Sequence, residues 1–382
     1  MLSKNGITIC GFYGNFNLGD EAMLEGMIDL FRTCQDDLKF TIISNNPKDT
    51  LRRFNVPAIR MKSPKVWPAI AKNRHFVLGG GDLLRDSVHK SVAASWLPYM
   101  QKAIALKRNT MLLGVSVGEI WRQETKELVP KVLNKVNLIA VRDDLSKARL
   151  EELGVSQKIY VMSDLALQSL ALKSNKTKKD FIERKANTRL EVGVSVRNLD
   201  GRGRSLDGAD HNKLQGEIAK IIDSLIEKYE ARVHLIPFRT LENSLHPIDD
   251  DYVSSLEVLR HSRYSAQCIV HRCFTSLDEL GQLISRLDLM MGMRLHSLIL
   301  SSGMGVPVIA AQYDPKVEGF MREIGQSHLS FPLSEFTHKK IFPVLCDTLD
   351  NLPVVANKMT ESVSNYERRI ETLESDLKSI LS

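Results

Sequence analysis

The sequence predicts an α/β protein made of two doubly wound, Rossmann-like parallel-sheet domains facing each other across a cleft. Three observations carry that expectation. The chain has 382 residues, too many for one ordinary hydrophobic core. Short apolar, β-branched runs alternate with stretches of helical length, as buried parallel strands alternate with their crossover helices. The pattern also occurs twice, on either side of a basic connector, KSNKTKKDFIERKANTR at 173–189.

In the first half the strand-like runs are ITIC (7–10), FTIIS (40–44), FVLGG (76–80), TMLLGVSVG (110–118), LIAVRD (138–143) and KIYVMSD (158–164). Helical patterns such as EAMLEGMIDLFRTC (21–34) and KSVAASWLPYMQKAIALK (90–107) separate most of them. In the second half the runs are LEVGVSV (190–196), RVHLIPF (232–238), QCIVH (267–271), LMMGMR (289–294), PVIAAQY (307–313) and HLSFP (328–332). HNKLQGEIAKIIDSLIEKY (211–229) and SLDELGQLISRL (276–287) read as helices between them. The expected organisation is a first domain at 1–175, a linker at 176–189, a second domain at 190–345 and a helical segment at 346–382. In that last segment Val363, Tyr366, Ile370, Leu373, Leu377 and Ile380 repeat in steps of three and four, one apolar stripe on a helix. Packing back onto the protein is the favoured reading of the stripe. A short coiled coil joining copies into a homo-oligomer is the other.

Composition narrows the function classes. Hydrophobic content of 43% and charged content of 26% are those of a globular protein. No apolar run approaches the roughly 20 residues of a membrane span, and MLSKNGITIC reads as a first strand rather than a signal peptide, so a cytoplasmic protein is expected. The five cysteines are scattered, which argues against a disulfide framework. CIVHRC (268–273) fits no common zinc spacing, and Ile269 and Val270 read as core strand, so no metal is expected. Net charge is +6. The excess is read as lying mainly in the 173–189 segment, a solvated connector rather than a basic face of the fold, compatible with weak contact at anionic headgroups on the inner face of a membrane. No nucleic-acid motif accompanies the charge, so nucleic acid is not expected as a partner.

Ligands of doubly wound sheets bind beyond the carboxyl ends of the strands, and several unusual stretches fall there. GFYGNFNLGDEAML (11–24) is glycine-rich but lacks the G-x-G-x-x-G spacing and the Lys-Ser/Thr ending of phosphate loops. Its Asp20 and Glu21 are either plain capping residues of the next helix or groups that face the cleft and bind sugar hydroxyls or accept a proton. GGGDLLRD (79–86) allows close backbone approach and adds Asp82. AVRDDLS (140–146) places Arg142 after a strand, as an anion ligand or a surface pair with Asp143. GVSVRN (193–198) places Arg197 similarly, and QYDPKVEGF (312–320) supplies Lys316. In GMRLHS (292–297), Arg294 and His296 stand at the end of an apolar run, where a helix starting near Leu295 adds free backbone N–H groups. This set of cations predicts a small polyanion and a transferase with a small phosphorylated donor.

These stretches, together with VRDDLS, SDLAL (163–167) and above all MGMRLHSLILSSGMGVPVIAAQYDPKVEGF, resemble the polysaccharide pyruvyl transferase family, in particular its CsaB-type bacterial members, which pyruvylate cell-wall polysaccharide. The resemblance reaches to about residue 345. It implies a fold like the B-type glycosyltransferases, phosphoenolpyruvate as donor, a sugar or lipid-linked oligosaccharide as acceptor, and pyruvate attached as a cyclic ketal across two hydroxyls. No cofactor is implied, phosphoenolpyruvate being a co-substrate. By motif, His296 and Arg294 are the catalytic candidates. Arg142, Lys316, Arg197 and Leu295 fall on the donor side, and Asn17, Asp20, Glu21 and Asp82 on the acceptor side. The loop at 198–212 and the region 240–265 have no counterpart in the motifs. The competing readings are a nucleotide-sugar glycosyltransferase of the same fold and a non-catalytic sugar- or phosphate-binding relative.

Overall fold

The computed structural model describes residues 2–169, 173, 189–199, 211–240, 250–272 and 274–382. The basic connector, apart from residues 173 and 189, and residues 200–210 and 241–249 lie outside them, as does Cys273. The chain divides into two compact units, Met1–Leu170 with Glu367–Ser382, and Ala171–Tyr366.

The first unit is built on seven strands: β1 (Ser3–Cys10), β2 (Lys39–Ser44), β3 (Ala58–Arg60), β4 (Asn73–Gly79), β5 (Asn109–Val115), β6 (Leu138–Val141) and β7 (Ile159–Val161). They pair in the order β3-β2-β1-β4-β5-β6-β7, and every pairing is parallel. The second unit has β8 (Glu191–Ser195), β9 (Arg232–Leu235), β10 (Cys268–Val270), β11 (Leu289–Gly292), β12 (Val308–Gln312) and β13 (Ser330–Pro332). Their order is β10-β9-β8-β11-β12-β13, again all parallel. In each sheet the winding reverses beside the first strand, at β1/β4 and at β8/β11. There neighbouring crossovers leave on opposite faces, and the loops after the strands open a crevice. The central strands carry near-continuous apolar runs because helices cover both faces. Phe76, Leu78, Leu112 and Ile139, for example, are buried with Leu97 and Val129 of the covering helices.

Three expectations change. β3 escaped the pattern because AIR is a three-residue edge strand with no alternation to detect. Ile269 is not core: β10 is also an edge strand, and Ile269 is 41% exposed. Beside it, His234 approaches both Glu191 (2.6 Å) and His271 (2.9 Å). Burial and the neighbouring His234 hold the His271 pKa down to about 4. Among the described residues no His, Cys, Asp and Glu group has metal-binding geometry, and no helix is long and apolar enough to cross a membrane. Finally, 346–382 is not one segment. Helix Leu352–Glu367 packs within the second unit, where Tyr366 meets Phe320 edge-on at 6.0 Å. Helix Glu371–Leu381 returns to the first, burying Leu373 and Leu377. The Asn109 side chain donates to Ile380 O at 3.0 Å.

Candidate functional site

In the first unit the glycine loop after β1 is held from inside. The Tyr13 hydroxyl donates to Gly79 O at 2.6 Å. Gly14 has a φ of 72°, and a Cβ there would sit 2.2 Å from Ser44 Oγ, so only glycine fits. The Gly14 amide donates to Glu21 Oε1 at 2.7 Å. Glu21 is only 2% exposed, which corrects its expected place among groups facing the acceptor: its carboxyl folds under the loop. Asn17 caps helix Leu18–Cys34 by accepting from Gly19 N, and its Nδ2 donates to Asp20. Asp20 is itself buried. Asp82 is half-buried and pairs with Arg85 at 3.2 Å. In the same motif Asp86 accepts the Trp121 and Arg122 amides (2.9 and 2.8 Å) and the Thr125 hydroxyl (2.7 Å), clasping two loops together.

Burial pushes the Glu21 pKa up to about 8; Asp20 and Asp49 add to this, while the Gly14 amide and Arg53 oppose it. The folded state therefore favours the neutral acid. Its contribution to stability is complete below the ordinary value of 4.5 and is lost as pH rises towards 8. Glu21→Gln fixes the neutral form. The variant is expected to match the parent at pH 5 and exceed it by about 2 kcal/mol or more at pH 8. Urea unfolding at the two pH values checks this, and a parent curve with no decline over that interval would contradict it.

Arg142, just past β6, is 5% exposed. Its partner is not Asp143, which instead caps helix Asp144–Glu152 by accepting from Ser146 N. Arg142 reaches Asp164 of the SDLAL stretch at 3.0 Å and also the Ser116 hydroxyl. Asp164 is fully buried. The alternative of a surface ion pair is thus overturned. This arginine stands where a strand ends, its planar group fixed by groups from two other strand ends.

The second unit gathers the remaining cations. Arg197 follows β8, Arg294 and His296 follow β11, and Tyr313 and Lys316 follow β12, three strands adjacent in the sheet at its point of reversal. Arg294 occupies the N-cap position of helix Leu295–Gly303. That helix packs closely on β11: a Cβ on Gly292 would lie 2.3 Å from Ser297 Oγ. The Arg294 guanidinium is clamped by Asp251, with Nε 3.1 and 2.8 Å from the two carboxylate oxygens and Nη2 2.5 Å from Oδ1. Asp251 is fully buried and also accepts the Phe238 and Arg239 amides at 3.1 and 2.9 Å. Sequence reasoning missed it because 240–265 carries no recognised motif. The available signal was physical: a buried arginine requires a buried acid, and HPIDDDY places acids at a helix start.

Arg197 is buried, and its guanidinium lies 4.5 Å over the Tyr313 ring. Burial, then the charge of Arg294, holds the Arg197 pKa below its ordinary range. Burial would raise the Tyr313 phenol, but the charges of Lys316, Arg197 and Arg294 outweigh it and leave its pKa lowered. Lys316, in the first turn of helix Pro315–Glu323, has Nζ 3.8 Å from Asp314, which caps that helix. His296 is half-buried in the first turn of its own helix, and Leu295 beside it is buried, so Leu295 offers its backbone rather than its side chain. Three cations and a histidine at neighbouring strand ends, with Asp251 holding Arg294 and Asp314 beside Lys316, suit an anion with more than one charged group.

A model of the family described as polysaccharide pyruvyl transferase matches residues 17–315. The chain belongs to the polysaccharide pyruvyl transferase family. The match runs from Asn17 to the Asp314–Pro315 turn, taking in Arg142, Arg197, Arg294 and His296 and stopping one residue before Lys316. This family member is 23% identical to the amylovoran biosynthesis protein AmsJ of Erwinia amylovora, with 94% of this chain and 95% of that protein covered. Its fold is shared with the UDP-GlcNAc 2-epimerase of Methanocaldococcus jannaschii (TM-score 0.61, 14% identity, 96% and 99% of the two chains). It is shared likewise with a glycosyltransferase from Rickettsia africae (TM-score 0.60, 13% identity, 98% of each chain). The protein is therefore a transferase enzyme of polysaccharide biosynthesis on a two-domain, B-type glycosyltransferase-like fold.

Proposed function

We propose that this transferase moves pyruvate from phosphoenolpyruvate onto two hydroxyls of a sugar in an exopolysaccharide or cell-wall precursor, as a cyclic ketal, and releases phosphate. The observation that carries the reading is the cation cluster of the second unit. Arg197, Arg294 and Lys316 suit a donor that bears a phosphate and a carboxylate on a three-carbon frame. Arg142 of the first unit is assigned to an anionic group of the substrates, and Asn17, Asp20 and Asp82 to the sugar acceptor.

His296 is the general acid. It delivers a proton to the methylene carbon, which becomes a methyl group while C2 turns electrophilic. One sugar hydroxyl adds to C2, the bond from C2 to the phosphate oxygen breaks, and the second hydroxyl closes the ring. Of the two protons lost by the hydroxyls, one replaces the proton given by His296 and one leaves with phosphate, so the balance closes without cofactor or metal. Arg294 and Lys316 stabilise the departing phosphate, and positioning supplies much of the rate.

The test is phosphate release from phosphoenolpyruvate by the purified protein, with and without a panel of sugar and amino-sugar glycosides. Acceptor-dependent release, with a product heavier by one ketal-linked pyruvate, is expected. No release with any acceptor, together with thermal stabilisation by a nucleotide sugar and none by phosphoenolpyruvate, would move the assignment to a glycosyltransferase.

A further inference from the structure

The positive charge of the chain is not confined to the connector. Residues 50–118 contain twelve Lys and Arg against two acids, Asp82 and Asp86, an excess larger than the +6 of the whole protein. This corrects the expectation that no basic face exists. The charge is also ordered. Arg60 ends β3, Lys62 and Lys65 stand in the turn that follows, and Trp67 lies in the first turn of helix Val66–Lys72. All four are exposed, Trp67 at 42%. The Trp67 ring stacks on Tyr99 of helix Ala93–Ala105 at 5.4 Å, which brings Lys102, one turn further along the same helix face, to the same side. Arg60, Lys62, Lys65 and Lys102 make no ion pair among the described residues, so their field is not cancelled locally.

We propose that this tryptophan-bearing basic face of the first unit docks on an anionic membrane surface. A half-exposed tryptophan flanked by lysines suits the headgroup layer, where the ring meets the acyl boundary and each cation near the surface adds affinity. Nucleic acid is the less favoured partner, because Trp67 and Tyr99 spend a ring face on each other instead of offering both to bases. The turn also belongs to the edge of the sheet that carries the glycine loop. Met61 N donates to Ser44 O (2.8 Å), Asn45 N to Tyr13 O (3.0 Å), and Asn45 Nδ2 to Asn15 Oδ1 (2.9 Å). Docking here brings that loop towards the bilayer. The proposal stands on charge and exposure and does not depend on the reaction assigned above.

The experiment is co-sedimentation of the full chain with vesicles of phosphatidylcholine, alone or with 30% phosphatidylglycerol, at about 0.1 M salt. Binding to the anionic vesicles only is expected, with an affinity loss of about 100-fold for neutralising the three lysines and a larger one in the triple variant Lys62→Glu, Lys65→Glu, Lys102→Glu. Trp67→Ala should weaken binding without changing its salt dependence. The triple glutamine variant serves as the check that charge rather than misfolding is read, and phosphate release with a water-soluble acceptor should be the same in all variants. Absence of parent binding to the anionic vesicles overturns the proposal. So does full binding by the triple variant, which would place the contact on the 173–189 segment. Displacement from vesicles by a single-stranded oligonucleotide at lower concentration than soluble phosphatidylglycerol overturns it in favour of nucleic acid.

Discussion

Replacing Asp251 by alanine is expected to destabilise the protein by about 3–5 kcal/mol and to abolish measurable use of phosphoenolpyruvate. The carboxylate performs two tasks at once. It neutralises the buried Arg294 through three short contacts, and it accepts two backbone amides, those of Phe238 and Arg239, beyond the end of β9. Removal leaves a buried cation uncompensated and two donors unsatisfied, and breaking one side of a buried pair costs far more than the pair is worth as a whole. The double variant Asp251→Asn, Arg294→Met separates the two tasks. With the cation gone and a carbonyl oxygen retained for the two amides, which share one carboxylate oxygen in the parent, it should recover more than half of the lost stability. It should not recover phosphate release, because the guanidinium itself is absent. Urea unfolding alongside phosphate release checks both halves. A double variant as unstable as Asp251→Ala would contradict this account, because neither an uncompensated cation nor an unsatisfied amide would then remain to explain the loss.

The fold was legible because its information is local and repeated. Strands such as TMLLGVSV and PVIAAQY, covered on both faces, are apolar throughout, and the amphipathic helices between them have a different period. The edge strands are where that logic weakens: AIR was too short to register, and CIV looked like core although its Ile269 meets solvent. At the candidate site the cations were legible because charge at the end of an apolar run is expensive and demands an explanation. Their acids were not. Asp164 lies 22 residues from Arg142 and Asp251 lies 43 before Arg294, and only the folded chain brings each pair together. Glu21 shows the opposite failure. Its place in the first turn of a helix suggested a group turned outward, yet the sharp turn at Gly14 draws an amide over it and closes it in. The basic face was misread for a related reason. A dense run such as KSNKTKKD is conspicuous in the sequence, whereas cations spread over a strand end, a turn and a helix add up only on the surface.

His296→Ala is expected to lower acceptor-dependent phosphate release by 10²–10⁴-fold, the usual contribution of a positioned general acid, while leaving stability within about 0.5 kcal/mol of the parent. The small effect on stability follows from position. His296 is half-buried in the first turn of helix Leu295–Gly303, whose close approach to β11 is made by Ser297 and Leu298. A protonation role differs from a purely steric one in what happens to the donor. Phosphoenolpyruvate should still bind the variant with an affinity within a few-fold of the parent, because the cations of Arg197, Arg294 and Lys316 are untouched. The slowed step is carbon protonation, so in heavy water the parent reaction should place one deuterium in the ketal methyl group and show a primary solvent isotope effect on kcat. If His296→Ala loses donor binding in proportion to turnover, the histidine is a donor ligand and the proton comes from elsewhere. Tyr313 is then the next residue to substitute, since its phenol is the other proton-carrying group set among these cations and its pKa is already lowered by them.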